Sequence, residues 1–284
     1  MSLLMKSQRA LEEGGLRLLA ERSSLFIYRK IMPDVIDVFI EEQGLAIPNG
    51  NDWTIVSLPR LEKRRIPVLS EKVAGTRHCS EKHQRLMFST YTSKEFTDIE
   101  TSDIVFDVGA YVGGFSIPAS KKAKTVIAID PNSKISDCLS YNTSKFDNIS
   151  VLALAAWKER DTLEINQSFY PNDNSILAPD ENSLETGFKV EADTISNIAK
   201  DHNIEKIDFL KIEAEGVEPE ILKGALDSDL EIRKIAVNCG PERQGEPTVE
   251  ETVEMLHSED YEIKRGSDSE VEWGKWIVFG RKKL

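Results

Sequence analysis

Apolar and polar residues along positions 103–280 follow the pattern of strands that alternate with helices. Short apolar runs predict buried strands at 104–108, 126–129, 150–155, 207–213 and 234–238, with helical spacing between them. This alternation predicts a mainly parallel sheet with helices on both faces. Segments 162–166 and 188–192 alternate apolar and polar residues, which predicts an extra antiparallel pair. A helix from Pro247 and a terminal hairpin of 261–264 with 275–280 complete an α/β fold with an antiparallel C-terminal edge.

The N-terminal part has a different pattern. Apolar residues recur every three to four positions up to about residue 48, which predicts helices, with a new helix starting at Pro33. The cluster Ile-Pro-Asn-Gly-Asn-Asp at 47–52 is typical of a turn, and the next 45 residues show no clear period. We therefore predict two domains, a helical extension and cap over 1–85 and an α/β domain over 86–284.

A glycine-rich turn follows the first strand of the predicted sheet. The strand ends in Asp107-Val-Gly109-Ala110-Tyr111-Val-Gly113-Gly, and a helical pattern comes next. Backbone N–H groups at such a turn bind nucleotide-like ligands, and glycine permits their close approach. The dinucleotide fingerprint G-x-G-x-x-G needs glycine where this chain has Tyr111, so pyrophosphate is disfavoured. S-adenosyl-L-methionine has no phosphate and fits better. The alternative is that the glycines only shape a tight turn.

Two carboxylates are predicted to hold this donor. Asp107 precedes the first glycine and suits the ammonium of the methionine moiety, while Asp130 ends the second strand, 21 residues after Gly109, and suits the ribose hydroxyls. A further candidate has a structural alternative: Asn142 either closes the ribose end or caps a helix C-terminus.

The segment after the third predicted strand supplies the candidates for the adenine. Ala156 is expected beside the purine, and Trp157 either stacks on it or packs in the core. The residues expected to bind the donor are therefore Asp107, Gly109, Ala110, Tyr111, Gly113, Asp130, Asn142, Ala156 and Trp157.

The chain resembles a known family in three motifs between residues 86 and 240. These are D-V-G-A-x-x-G, A-I-D-P and K-I-E-A-E-G-V-E-P-E-I-L-K-G-A, and they are similar to those of FkbM-type S-adenosylmethionine-dependent methyltransferases. The resemblance implies a class I methyltransferase fold and methyl transfer to an oxygen of a sugar, a polyketide or a similar metabolite. The family usually has aspartate at the position of Glu213 and asparagine at that of Tyr111.

Glu213 and Glu215 are the candidate catalytic residues. They lie two positions apart at the end of the fourth predicted strand, so strand alternation places both side chains on one face at the carboxyl edge of the sheet. A carboxylate there is sufficient to accept a proton from an acceptor hydroxyl. Glu215 is alternatively a cap of the helix that begins near Val217. Because no third carboxylate is nearby in the sequence, we expect no metal.

Composition limits the partners and the compartment. The chain has 284 residues and 49 acidic against 36 basic residues, a formal charge of −13, which disfavours nucleic-acid binding. Its three cysteines show no C-x-x-C spacing, and no apolar run is long enough for a membrane span. We therefore expect a cytoplasmic enzyme, with peripheral membrane contact through a lipid-linked substrate and homo-oligomer formation left open.

One segment departs from the acidic composition. Between Arg60 and Arg85, eight basic residues stand against three acidic ones, a local charge of +5. It either attracts an anionic acceptor or forms a solvated basic face.

The predicted function is O-methylation of a sugar, at a hydroxyl or uronic acid, in a glycan or lipid-linked glycan precursor. The alternatives are an O-methyltransferase of a small secondary metabolite, a non-catalytic S-adenosylmethionine-binding protein and a nicotinamide-dependent oxidoreductase, which Tyr111 disfavours.

Overall fold

A computed structural model describes residues 45–49, 52–56, 81–168, 176–177, 183–243, 245–269 and 271–283. The predicted helices before residue 45, and the basic segment up to residue 80, lie outside these ranges. Leu45–Asn49 (β1) and Asp52–Val56 (β2) pair as an antiparallel hairpin. The helical prediction is therefore wrong for residues 45–48. Residues 47–49 and 52 of the predicted turn cluster belong to these two strands, and residues 50 and 51 lie outside the described ranges.

A second compact unit spans Glu81–Leu284. Its helices are α1 (Glu81–Tyr91), α2 (Ser116–Ser120), α3 (Ser133–Thr143), α4 (Ile195–Asp201), α5 (Glu218–Leu226) and α6 (Val249–Ser258), with a 3-10 helix at Glu272–Trp276. Its strands are β3 (Ile104–Val108), β4 (Thr125–Ile129), β5 (Ile149–Leu152), β6 (Ala155–Ala156), β7 (Asp161–Ser168), β8 (Ser183–Asp193), β9 (Lys206–Ile212), β10 (Glu231–Asn238), β11 (Tyr261–Arg265) and β12 (Ile277–Lys282). The predicted boundary at residue 86 falls inside α1, and the two-domain division stays a prediction.

The main sheet has seven strands in the order β11-β12-β10-β9-β3-β4-β5. The five strands from β10 to β5 are parallel, and β12 and β11 add an antiparallel edge. This arrangement confirms the predicted fold class. Among the described residues, no helix combines the length and apolarity that crossing a membrane requires.

Some predicted boundaries are wrong. The predicted strand 150–155 is divided, because β5 ends at Leu152 and β6 joins a separate three-stranded sheet with β7 and β8. In that small sheet β7 and β8 pair antiparallel, as predicted. The helical pattern predicted after the glycine turn corresponds to α2, which begins at Ser116 because residues 111–115 form turns. Helix α6 begins at Val249, two residues after Pro247.

Helices cover both faces of the main sheet. Phe106 and Leu210 belong to the core under α5 and α6, whereas Val105 and Phe209 pack on the opposite face with Tyr91 of α1. Successive residues of a strand point to opposite faces. Asp107 and Lys211 therefore lie on the same face as Val105 and Phe209, which we call the α1 face.

Candidate functional site

The polar residues of interest lie at the carboxyl edge of β3, β4 and β9. Strand β3 pairs with β4 on one side and with β9 on the other, so the chain reverses its direction of strand addition at β3. Open α/β sheets bind ligands at this edge, next to such a switch point. The predicted candidates Asp107, Asp130 and Glu213 follow or end these three strands.

The glycine turn is fixed by the end of β9. A Cβ atom on Gly109 would lie 1.8 Å from the carbonyl oxygen of Glu213, and Gly109 has φ +71°, so no other residue fits. The N–H groups of Gly109 and Ala110 both donate to the Ile129 carbonyl at 3.0 Å. The packing role proposed as the alternative for these glycines is therefore present at Gly109. Ligand contact by Gly109, Ala110 and Gly113 stays a prediction.

Tyr111 continues the turn in an unusual backbone conformation. Its φ of +48° lies in the left-handed region, which a bulky residue rarely adopts. Its N–H donates to Asp130 Oδ2 at 3.1 Å. The backbone of Tyr111 is thus held by the acid that ends β4.

Asp130 connects two loops at this edge. Besides the Tyr111 N–H, its carboxylate accepts from the Asn132 N–H at 3.1 Å through Oδ1. Burial raises the pKa of Asp130 to about 7, although both backbone bonds and Lys211 favour the charged form. A carboxylate oxygen accepts more than one hydrogen bond, so both oxygens keep capacity for a ligand hydroxyl. Its contact with a ribose stays a prediction.

Lys211 is the central residue of the site, and sequence reasoning assigned it no role. Its side chain is 1% exposed, and its Nζ lies 3.0 Å from Asp107 Oδ1 and 3.2 Å from Glu213 Oε2. It also donates to the carbonyls of Val108, at 3.2 Å, and Gly109, at 2.9 Å. The two carboxylates hold the pKa of Lys211 above its usual value despite burial. The sequence feature that could have identified it is a lysine inside the apolar run 207–212.

Asp107 is fully buried between two partners. Beside Lys211, it accepts a hydrogen bond of 2.5 Å from Ser116 Oγ through Oδ2. The structure therefore places this carboxylate behind the turn, where it fixes Lys211 and the start of α2. Contact of Asp107 with a ligand ammonium stays a prediction.

The two candidate catalytic acids occupy different environments. Glu213 is paired with Lys211, and its side chain is 26% exposed. Glu215 lies in a turn with φ +53°, beyond the end of β9 at Ile212. Strand alternation therefore does not relate the two side chains, contrary to the prediction. The carboxylate that binds the backbone N–H groups of Ala214 and Gly216 is that of Glu218, through Oε1 at 2.9 and 3.2 Å.

Tyr91 reaches the same site from α1. It is fully buried, and Lys211 Nζ lies 5.2 Å from the centre of its ring. Burial, followed by the nearby Glu213 carboxylate, raises the pKa of Tyr91 well above its ordinary value. Its hydroxyl nevertheless has no hydrogen-bond partner of acceptable geometry among the described residues. Tyr91 precedes the three motifs in the sequence and was therefore not predicted as a site residue.

The remaining donor candidates pack against neighbouring elements. Asn142 donates from Nδ2 to the Val112 carbonyl at 2.9 Å and so ties α3 to the glycine turn. Ser144 is the C-cap of α3, so the cap alternative for Asn142 is wrong. Ala156 is buried in β6, and Trp157 packs partly buried against two apolar clusters. Purine contact by Ala156 and Trp157 stays a prediction.

Metal ligation has no evident site within the described part of the chain. No group of three or more histidine, cysteine, aspartate and glutamate side chains converges there as metal ligands would. Independence from metal stays a prediction.

Parallel strands with an antiparallel edge, and a glycine turn beside acids that end the neighbouring strands, define the Rossmann-like fold of class I methyltransferases. The FkbM methyltransferase domain model matches residues 107–277, more than half of the chain. The protein therefore belongs to the FkbM methyltransferase family, which confirms the resemblance seen in the motifs.

Individual proteins are more distantly similar. Methyltransferase sdnD of Sordaria araneosa is 26% identical over 205 residues, covering 60% of this chain and 78% of sdnD. The crystal structure of methyltransferase FkbM from Methylobacillus flagellatus KT has 17% identity and a TM-score of 0.47, covering 78% of this chain and 57% of that one. This chain thus spans a little over half the length of that protein. M. capricolum TrmK in complex with S-adenosylhomocysteine has 18% identity and a TM-score of 0.42, with coverages of 72% and 69%.

Proposed function

We propose that the protein is an S-adenosylmethionine-dependent O-methyltransferase that acts on a sugar of a glycan or lipid-linked glycan precursor, at a hydroxyl or uronic acid. The observation that supports S-adenosylmethionine as the donor is the negative charge at the carboxyl edge of the sheet. Asp107, Asp130 and Glu213 converge on the glycine turn, with Lys211 as their cation. This excess of acid suits a ligand that carries ammonium and sulfonium groups and disfavours pyrophosphate.

The residues of the edge fit the donor in distinct ways. Asp130 has lone pairs left to accept from ribose hydroxyls, and the backbone it fixes at Tyr111 borders the same ligand. When bound, the donor supplies an electrophilic methyl group whose bond to sulfur breaks as its bond to the acceptor oxygen forms. The protein must therefore align the acceptor and remove its proton.

Glu213 is the residue we assign to that proton. It is the partly exposed carboxylate of the cluster, and its ion pair with Lys211 holds its orientation. The proton of the acceptor hydroxyl passes to Glu213 as the oxygen gains the methyl group. Lys211 remains charged and keeps the carboxylate from turning toward solvent.

The net charge of the chain and its family guide the choice of acceptor and location. A net charge of −13 disfavours nucleic-acid acceptors, and a small secondary metabolite is the alternative acceptor class. Cytoplasmic enzymes reach lipid-linked sugars by peripheral contact at the inner membrane face, which we propose as the location. A homo-oligomer is compatible with this proposal.

Transfer of label tests the proposal. The protein is incubated with methyl-labelled donor and with separate fractions of glycolipids, soluble metabolites, RNA and protein, and the labelled product is identified. We expect label in a sugar of the glycolipid fraction and its loss in Glu213→Gln, while calorimetry shows unchanged binding of S-adenosylhomocysteine. Label in RNA or protein alone would refute the acceptor class. Donor binding without turnover on any fraction would favour a non-catalytic binding protein, and thermal protection by NAD instead would favour an oxidoreductase.

A further inference from the structure

Two adjacent rows of residues cross the α1 face at the carboxyl edge. The first row pairs Asp107 with Lys211 and Lys211 with Ala236 across β3, β9 and β10. The register ends with the pair of Ile212 and Val237, and Glu213 and Asn238 are the next residues of the two segments. The Glu213 N–H still donates to the Val108 carbonyl at 3.1 Å, so the backbone of β9 continues along β3 for this one residue. Neighbouring strands are about 4.8 Å apart. Extended by this one residue, the register puts the Asn238 side chain, on the same face as Ala236, next to Glu213.

Asn238 brings an unused acceptor to this face. Its Oδ1 atom is buried and has no hydrogen-bond partner among the described residues. Buried polar atoms are nearly always hydrogen-bonded, so an unused one in a native protein calls for a water or ligand partner. Neither Ala236 nor Ile277, its neighbour on β12, offers a side-chain donor.

Tyr91 of α1 adds a buried hydroxyl next to Glu213 on the same face. Its ring contacts Lys211, which in turn contacts Glu213, so the phenol lies at the Glu213 side of the face. The Tyr91 hydroxyl approaches the Glu213 carboxylate, which contributes to the raised pKa of Tyr91, but it makes no hydrogen bond of acceptable geometry among the described residues. One hydroxyl and one amide oxygen thus flank the carboxylate assigned to the acceptor proton.

We propose that Glu213, Tyr91 and Asn238 form the acceptor site and that it takes two neighbouring hydroxyls of a neutral sugar. This inference rests on the proposed function and selects among its acceptors. Glu213 accepts the proton of the reacting hydroxyl, the Tyr91 hydroxyl donates to the reacting oxygen, and Asn238 Oδ1 accepts from the adjacent hydroxyl.

The charge of the surroundings selects against anionic acceptors. Tyr91 lies within electrostatic range of Glu213, Glu218 and Asp107. Lys211 is the cation in contact with two of these acids. A uronate placed beside Glu213 therefore meets net negative charge, whereas a neutral diol does not. The site thus favours ether formation at a hydroxyl over esterification of a uronic acid.

Direct binding tests this site without knowledge of the natural acceptor. Protein saturated with S-adenosylhomocysteine is titrated by saturation-transfer NMR with methyl glycosides of glucose, mannose and galactose, with methyl glucuronide, and with trans-cyclohexane-1,2-diol against cyclohexanol. We expect at least one neutral glycoside to bind, the diol to bind better than cyclohexanol, and the glucuronide to bind at least tenfold more weakly than the corresponding glucoside. Tyr91→Phe and Asn238→Leu are expected to weaken glycoside binding at least tenfold.

Thr97→Val is the matched control, because Thr97 also carries a buried hydroxyl without a described partner. Thr97 adjoins Asp98, whose carbonyl binds Lys234 toward the opposite edge of the sheet. Its replacement is expected to leave glycoside binding unchanged. Thermal unfolding and calorimetry with S-adenosylhomocysteine show whether each variant is folded and binds the donor product.

Two sets of results are distinguishable. In the first set, S-adenosylhomocysteine binds, but either no neutral glycoside binds the wild type or both variants bind glycoside as tightly as the control. This result overturns the acceptor site and leaves the proposed function standing. Wild-type protein that binds no S-adenosylhomocysteine overturns the proposed function itself. If a variant does not fold, the comparison of glucoside with glucuronide on the wild type still decides the selectivity.

Discussion

Donor binding should depend on pH between 6 and 8 through Asp130. Burial raises the pKa of this carboxyl to about 7 in the unliganded protein. Ribose hydroxyls need a hydrogen-bond acceptor. The protonated carboxyl has less acceptor capacity than the carboxylate, and its own O–H also needs a hydrogen-bond partner. Binding therefore favours the ionised form, and affinity rises as pH rises through 7.

The size of the effect follows from the ionised fraction. With a pKa of about 7, roughly nine-tenths of Asp130 is ionised at pH 8 and roughly one-tenth at pH 6. If binding requires the ionised form, the dissociation constant at pH 6 is about tenfold larger than at pH 8, about 1.4 kcal/mol. Binding at pH 7 should then release about half a proton per site.

Calorimetry with S-adenosylhomocysteine measures both quantities. The dissociation constant is recorded at pH 6, 7 and 8, and proton release is obtained from buffers of different ionisation enthalpy. Asp130→Asn should bind weakly at every pH, and any pH dependence it keeps belongs to the ligand or to other groups. Burial also raises the pKa of Glu218 to about 7, so its titration must be distinguished from that of Asp130. The Glu218→Gln variant should show the same pH dependence of the dissociation constant as the wild type. An affinity for the wild type that is constant from pH 6 to 8 would refute the role of Asp130.

Three further predictions concern the residues that shape the turn. Lys211→Met leaves Asp107 buried without its cation and should cost about 3–5 kcal/mol in urea unfolding, part of which Asp107→Asn restores in the double variant. Gly109→Ala should lower the melting temperature and abolish donor binding, because its Cβ would lie 1.8 Å from the Glu213 carbonyl oxygen; a normal melting temperature would contradict the packing. Tyr111→Asn should raise the free energy of unfolding, measured in urea, by about 1 kcal/mol, because asparagine tolerates a φ of +48° and the N–H to Asp130 remains; an unchanged or lower value would contradict backbone strain at this position.

The positions of the main-sheet strands and their parallel direction were predictable because buried parallel strands are continuous apolar runs. The error at the third strand arose because an apolar run can continue one strand or pass into a strand of another sheet. Ala155 and Ala156 continue an apolar run, but they leave the main sheet and pair with Ala192 and Asp193 of β8. Such a division depends on long-range pairing, which local periodicity does not contain.

The acidic residues of the site were predicted from the sequence, but the residues that contact them were not. Asp107, Asp130 and Glu213 stood out because each follows an apolar strand within a motif. Lys211 sits inside such a strand, where its role depends on carboxylates that are 104 residues upstream and two residues downstream in the sequence. Tyr91 approaches from a helix outside the motifs, and only tertiary packing brings it to Lys211.

Burial of Lys211 links the fold to the chemistry. An isolated ammonium in the core would be strongly destabilising, and so would the buried carboxylate of Asp107; together with two backbone carbonyls they are mutually compensated. Because the same ammonium also contacts Glu213, the orientation of the partly exposed carboxylate is fixed by groups that cannot move without exposing a buried charge. The glycine turn is fixed by the same contacts, since Lys211 binds the Gly109 carbonyl while the Glu213 carbonyl lies against the Cα of Gly109. Donor turn and proton acceptor are therefore held in one rigid arrangement, which is the requirement for aligned methyl transfer.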